Sequence, residues 1–150
     1  MSSDTMHEIY RQFRTAQDKC AYFLLAAAGA GIALAVNQTK GAVLAWSQAP
    51  LGGAVLRWAA SFFSGCRHLA YLTSSVYSNF ELLTVERGEH PEVGPHPELV
   101  AAATQGIRKA LARSSKRASL YARMQFHFLV WGAILYLAWH ILEMWLRSVQ

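Results

Sequence analysis

The chain has 150 residues, room for a single domain, and 53% of them are apolar while only 15% are charged, against roughly 25% charged in an average soluble domain. The apolar residues are also gathered into blocks rather than spread at helical period, which argues against an Ala-rich soluble bundle and for a membrane protein. Lys and Arg outnumber Asp and Glu by 14 to 9, so the placement of basic residues carries topological information.

Residues 1–20 read as an amphipathic N-terminal arm: Met6, Ile9, Tyr10, Phe13, Ala16 and Cys20 recur at helical spacing. The arm runs into the first apolar block, AYFLLAAAGAGIALAV, which with its flanks gives a predicted span over 21–39, just long enough for a hydrocarbon core of ~30 Å. A signal peptide is the rival reading, with Ala33-Leu34-Ala35 as the cleavage pattern. Against it, the segment before the apolar block is long and carries Asp4, Glu8 and Asp18, and the residues after the supposed cut stay largely apolar. Within this block Ala27, Gly31 and Ala35 recur every four residues, as do Gly29 and Ala33. Such small residues permit close helix approach in lipid, where no hydrophobic drive exists between helices.

The second predicted span, 51–72, is long enough but carries Arg57, Arg67 and His68. Ser61 and Gly65 repeat the small-residue spacing there, and the helix is expected to continue inward through Thr73, Val76, Phe80 and Leu83. The run GEHPEVGPHPE then forbids regular helix, so a turn is expected at 88–97. His90-Pro91-Glu92 and His96-Pro97-Glu98 could be read as cation ligands, but the spacing matches no metal motif and the prolines account for a rigid turn. Pro97 and Glu98 suit the first turn of a new helix, where the missing donor is harmless and the acid meets the positive dipole end.

From Glu98 to Arg147 there is no proline, so one long helix is expected. Leu99, Ala103, Ile107, Ala110, Ser114, Ala118 and Tyr121 share one face, while Lys109, Arg113, Lys116 and Arg123 gather on the other. That basic face would lie near an anionic inner leaflet, with each cation contributing ~1 kcal/mol of attraction. No nucleic-acid motif accompanies it, so no nucleic acid is expected as a partner. The third span, 126–146, holds His140 and Glu143 on one face. An isolated ionisable group in lipid costs several kcal/mol, so pairing of Glu143 with Arg57 near the outer side, or snorkelling, is expected. A proton or ion pathway is the sharper alternative, and a single His with one carboxylate gives too few ligands for a metal site.

Segments 1–20 and 73–125 contain ten basic residues, whereas the other two loops contain only Lys40 and Arg147. Basic residues in short segments resist translocation, which favours three spans with a cytoplasmic N-terminus, a cytoplasmic helical extension over 73–125, and the C-terminus outside. Cys20 and Cys66 then fall near the inner ends of spans, where a disulfide is not expected. There is no P-loop, GxGxxG, GxSxG or HExxH, and the expectation is an all-α membrane protein with no enzymatic activity and no cofactor.

The runs QDKCAYFLLAAAGAGIALAVNQTKG, SFFSGCRHLAYLTSSVYSNFELL and WHILEMWLRS resemble short bacterial inner-membrane proteins left as uncharacterised; the resemblance implies that localisation but no activity or site. By build alone the chain resembles the small membrane effectors of bacterial anti-phage systems. Two functions stay open: a self-associating subunit or effector that acts at the membrane, or a transport component centred on Arg57, Arg67, His68, His140 and Glu143.

Overall fold

A computed structural model describes residues 3–41 and 45–148. It is helical, with no strand among the described residues: α1 Ser3–Gln38, α2 Ala49–Glu86 and α3 Pro97–Ser148, with a 3-10 turn at Trp46–Gln48 ahead of α2. The arm and the first apolar block form one uninterrupted helix. The side chains of Met6, Ile9, Tyr10 and Phe13 lie outside the described residues; Ala16 and Cys20 are exposed.

Helix α2 stops by a local device. Gly88 takes φ +71°, the left-handed conformation glycine adopts at no steric cost. There the Gly88 amide donates to the Val85 carbonyl at 3.0 Å and the Glu89 amide to that of Thr84 at 3.1 Å. This is the Schellman arrangement that satisfies a helix's last carbonyls. Pro97 opens α3, with Glu98 in its first turn and the Val100 amide donating to the His96 carbonyl at 2.9 Å.

The chain divides into two compact units, residues 1–65 with 122–150, and residues 66–121. In the first, α1, the start of α2 and the end of α3 form a three-helix bundle. Ala28, Ala35, Leu51, Ala54, Trp58 and Trp139 make its core, with Ile32, Val55, Leu129, Leu135 and Tyr136 packed around them. Cross-helix contacts fix the directions. On α3, Gln125 meets Ala21 of α1 and Tyr136 meets Gln38, so α1 and α3 run parallel. Ser61 meets Gln125 and Trp58 meets Leu129, so α2 runs against both.

The distribution of side-chain size in this bundle is inverted relative to a water-soluble one. Its buried positions are rich in Ala, Ser and Gly, while Tyr22, Phe23, Leu34, Phe62, Phe63, Trp131, Leu137 and Ile141 face outward. Thr15–Gln38 of α1 and helix α3 are long and apolar enough to cross a membrane, and only 17% and 11% of their most apolar stretches are buried within the chain. Helix α2 does not reach that measure, since Arg57, Arg67 and His68 interrupt it.

The second unit is a helical hairpin of 66–86 and 97–121 across the turn. Val85 and Ala118 are buried in it, the His68 ring nitrogen Nδ1 lies 2.8 Å from the Ala118 carbonyl, and Arg108 pairs with Glu86 at 2.9 Å.

Candidate functional site

The densest contact in the first unit is built around one indole. Trp58 of α2 donates its Nε1–H to the Leu129 carbonyl at 3.3 Å and lies between two glycines. A Cβ at Gly31 of α1 would come 2.8 Å from Trp58 Cδ2, and one at Gly132 of α3 would come 2.5 Å from its Nε1. The ring's two edges are thus matched by missing side chains on two other helices.

A polar layer lies one level down. Ser61 Oγ donates to the Gln125 carbonyl at 2.7 Å, and the buried Gln125 side chain donates from Nε2 to the Ala21 carbonyl at 3.3 Å. Gly65 makes room for that amide: its Cβ would lie 2.6 Å from Gln125 Nε2 and 2.7 Å from Leu25 Cδ2. One glutamine and one serine therefore tie three helices together at a single level. Such bonds hold well where water cannot compete. Of the small residues singled out from sequence, Ala35, Ser61 and Gly65 are buried, Ala27, Gly29 and Gly31 are half-buried, and Ala33 is exposed.

Trp58, Gln125 and Gly132 were not singled out from sequence, and the regularity of the α3 pair shows only in the burial pattern. The buried positions of α3 are Ala118, Gln125, Gly132 and Trp139, spaced by seven, the repeat of a left-handed supercoil. Trp139 Nε1 and Thr104 Oγ1 are buried side-chain atoms without a hydrogen-bond partner among the described residues.

The ionisable residues of the predicted spans go to separate partners. Glu143 is bonded by Arg147 of its own helix at 3.3 Å, and Arg57 lies over the Phe128 ring at 5.8 Å. The expected Arg57–Glu143 pair is therefore corrected: Arg57 is level with Phe128, fifteen positions before Glu143, about 22 Å at the helical rise. His140 is exposed, its ring 6.3 Å from that of Trp139. Within the first unit Arg57, His140 and Glu143 do not converge on a common centre.

The second unit gathers Arg67 and His68 with Ala118 and Tyr121 from the expected inner face of α3 and with Tyr71 and Arg117, which the sequence did not single out. Arg67 donates to the Tyr71 hydroxyl at 3.0 Å, and Arg117 donates to the same oxygen at 3.4 Å. Tyr71 stacks on Tyr121 with ring centroids 5.6 Å apart, and the Arg67 guanidinium lies over both rings. Lys109, Arg113, Lys116 and, at the start of the other unit's part of α3, Arg123 are all exposed. No group of three or more His, Cys, Asp or Glu that could hold a metal ion occurs among the described residues. Cys20 and Cys66 are free and exposed. Outside the membrane-predicted segments, a hydrogen bond to Glu81 raises the Tyr77 hydroxyl above its ordinary pKa.

Compared with protein families, with curated proteins and with solved structures, the chain has no match.

Proposed function

We propose that the chain is an integral membrane protein of the bacterial inner membrane that crosses it three times. In this reading its N-terminus is cytoplasmic, its C-terminus is outside, and it acts without enzymatic activity as a self-associating subunit or effector. The observation that carries the membrane reading is the bundle's apolar outer face, where Tyr22, Phe23, Phe62, Phe63, Trp131, Leu137 and Ile141 surround a core in which mostly small residues pack on Trp58 and Trp139. In water that surface would be an aggregation hazard, whereas in lipid it is the solvated face.

Packing supports the second crossing where hydropathy alone is weak. The segment of α2 from Leu51 to Gly65 lies antiparallel between the apolar parts of α1 and α3 and shares their core. A bilayer entered by α1 and α3 at these levels takes α2 with them. The ten-to-two basic asymmetry orients the bundle. The small residues left on the outer surface and the largely outward apolar stretches of α1 and α3 support self-association, because they leave room for helices of other copies to pack. A transport role would need polar side chains around a shared cavity, and the separate partners of Arg57, His140 and Glu143 give it no support.

Cysteine labelling in intact cells tests the topology. In a chain with Cys20 and Cys66 replaced by Ser, Ala112→Cys should be protected from an impermeant maleimide and Lys40→Cys should react. The reverse pattern, or release of the chain by alkaline carbonate, would overturn the proposal.

A further inference from the structure

Two arginines brought together with no acid between them need an explanation that packing does not give. Arg67 and Arg117 come from different helices, yet both guanidiniums donate to one oxygen, the Tyr71 hydroxyl, at 3.0 and 3.4 Å. Neither forms an ion pair with a carboxylate among the described residues. Both are exposed, so each guanidinium has N–H donors left to present to a ligand beyond those turned to the tyrosines. Their proximity is held by neutral groups. Tyr71 and Tyr121 stack at 18° between planes, both guanidiniums lie against the Tyr71 ring, and the His68 contact with the Ala118 carbonyl locks the two helices at this level. The result is a preorganised pair of planar cations, the donor set that recognises the oxygens of a phosphate.

Its position along the chain says where such a phosphate would come from. Arg67 and Tyr71 lie at the inner end of the second span, and Arg117 and Tyr121 come a few residues before the third. On the membrane reading, on which this inference rests, all four stand at the inner headgroup level, where tyrosine and arginine side chains are at home. We propose that Arg67 and Arg117, held by Tyr71 and Tyr121, form a binding site for the phosphate of an anionic phospholipid in the inner leaflet. The site is more specific than the diffuse attraction of the basic face formed by Lys109, Arg113 and Lys116.

Native mass spectrometry of the full chain in mild detergent, titrated with phosphatidylglycerol or with phosphatidylcholine of the same acyl chains, tests it. One phosphatidylglycerol per chain should be retained in preference to phosphatidylcholine, whose phosphodiester is already neutralised by its own choline cation and so gains less beside two arginines. Arg67→Gln and Arg117→Gln should each weaken that retention about fivefold, and Lys109→Gln with Arg113→Gln should leave it unchanged. Arg67→Lys with Arg117→Lys keeps the charge and loses the planar fork, and should also weaken retention of phosphatidylglycerol; this pair decides the matter if the glutamine variants do not fold. Equal retention of both lipids by the wild type, or undiminished retention of phosphatidylglycerol in the lysine pair, would overturn the site. Displacement of the lipid by millimolar inorganic phosphate would overturn the lipid as its ligand. Alkaline carbonate extraction of the same wild-type chain separates the two readings: a chain that leaves the membrane fails the membrane reading, and one that stays but binds both lipids alike fails the site alone.

Discussion

Gly31→Ala and Gly29→Ala add the same methyl group to the same helix two residues apart, and they should move stability by different amounts. At Gly29 a Cβ meets nothing within 4 Å, so the substitution gains only alanine's helical preference, about 0.8–1 kcal/mol. At Gly31 it would sit 2.8 Å from Trp58 Cδ2 and 2.9 Å from Cε2 and Cε3, where relaxed carbon contacts fall at about 3.5–4.0 Å. The ring cannot simply back away, because its Nε1 is bonded to Leu129 at 3.3 Å and its other edge already fills the space at Gly132. The two helices must part instead, an overpacking cost of about 1–3 kcal/mol. Since the propensity gain is common to both variants, their difference isolates that cost. Thermal unfolding in detergent, followed by circular dichroism, should separate the two midpoints by about 2–4 °C for each kcal/mol at this chain length, with Gly31→Ala lower. Trp58→Phe in the Gly31→Ala background should recover part of the loss by shrinking the ring. Coincident midpoints for the two alanine variants would refute the wedge.

Gln125→Leu keeps volume but loses the donation to Ala21, and should cost about 1 kcal/mol. Gln125→Ala also opens a void and should cost more, a loss that Gly65→Ala should partly offset in the double variant by filling the space the amide vacated; strictly additive unfolding energies there would argue against the contact. Arg57→Leu and Glu143→Leu should be additive within about 0.3–0.5 kcal/mol, and a coupling well above that in the same assay would restore the cross-helix pair. Alkaline titration followed by tyrosine absorbance should show Tyr77 ionising above the ordinary tyrosine range because of its bond to Glu81, and Glu81→Gln should bring its midpoint down; no change would remove that bond as the cause.

Much of the fold was legible because its punctuation is local. The two glycines and three prolines of 88–97 act through φ and missing donors, and they end α2 and begin α3 at Glu86 and Pro97 without help from the rest of the chain. The small residues of α1 were legible for a related reason: a repeat of Ala and Gly at four-residue spacing is visible within one segment. The face it opposes was not. On α3 the buried positions 125, 132 and 139 hold Gln, Gly and Trp, which share neither size nor polarity, so no hydrophobic periodicity marks them. In a bundle whose outer face is the apolar one, the inner face is selected for fit across helices. Trp58 is recognisable as a core residue only once Gly31 and Gly132 are known to face it, a relation among three helices that no single stretch contains.

The same limit explains the misplaced ion pair. A pair between Arg57 and Glu143 requires the start of the second span and the end of the third to finish at one outer plane. They do not. Gly53 of α2 faces Leu135, its Cβ position 3.3 Å from Leu135 Cδ1, so α2 begins near the level of Trp139 and α3 continues beyond it to Ser148. Glu143 therefore lies past the start of α2, where its neighbour one turn on, Arg147, serves as counter-ion. Arg57 is the deeper charge, and its environment answers for it in another way. The guanidinium of Arg57 lies against the Phe128 face at 5.8 Å, a cation–π contact that partners the charge without a carboxylate from its own chain. An arginine placed so has an aromatic face for a partner, which is why it needs neither the transport pathway nor the glutamate that its position in the sequence suggests.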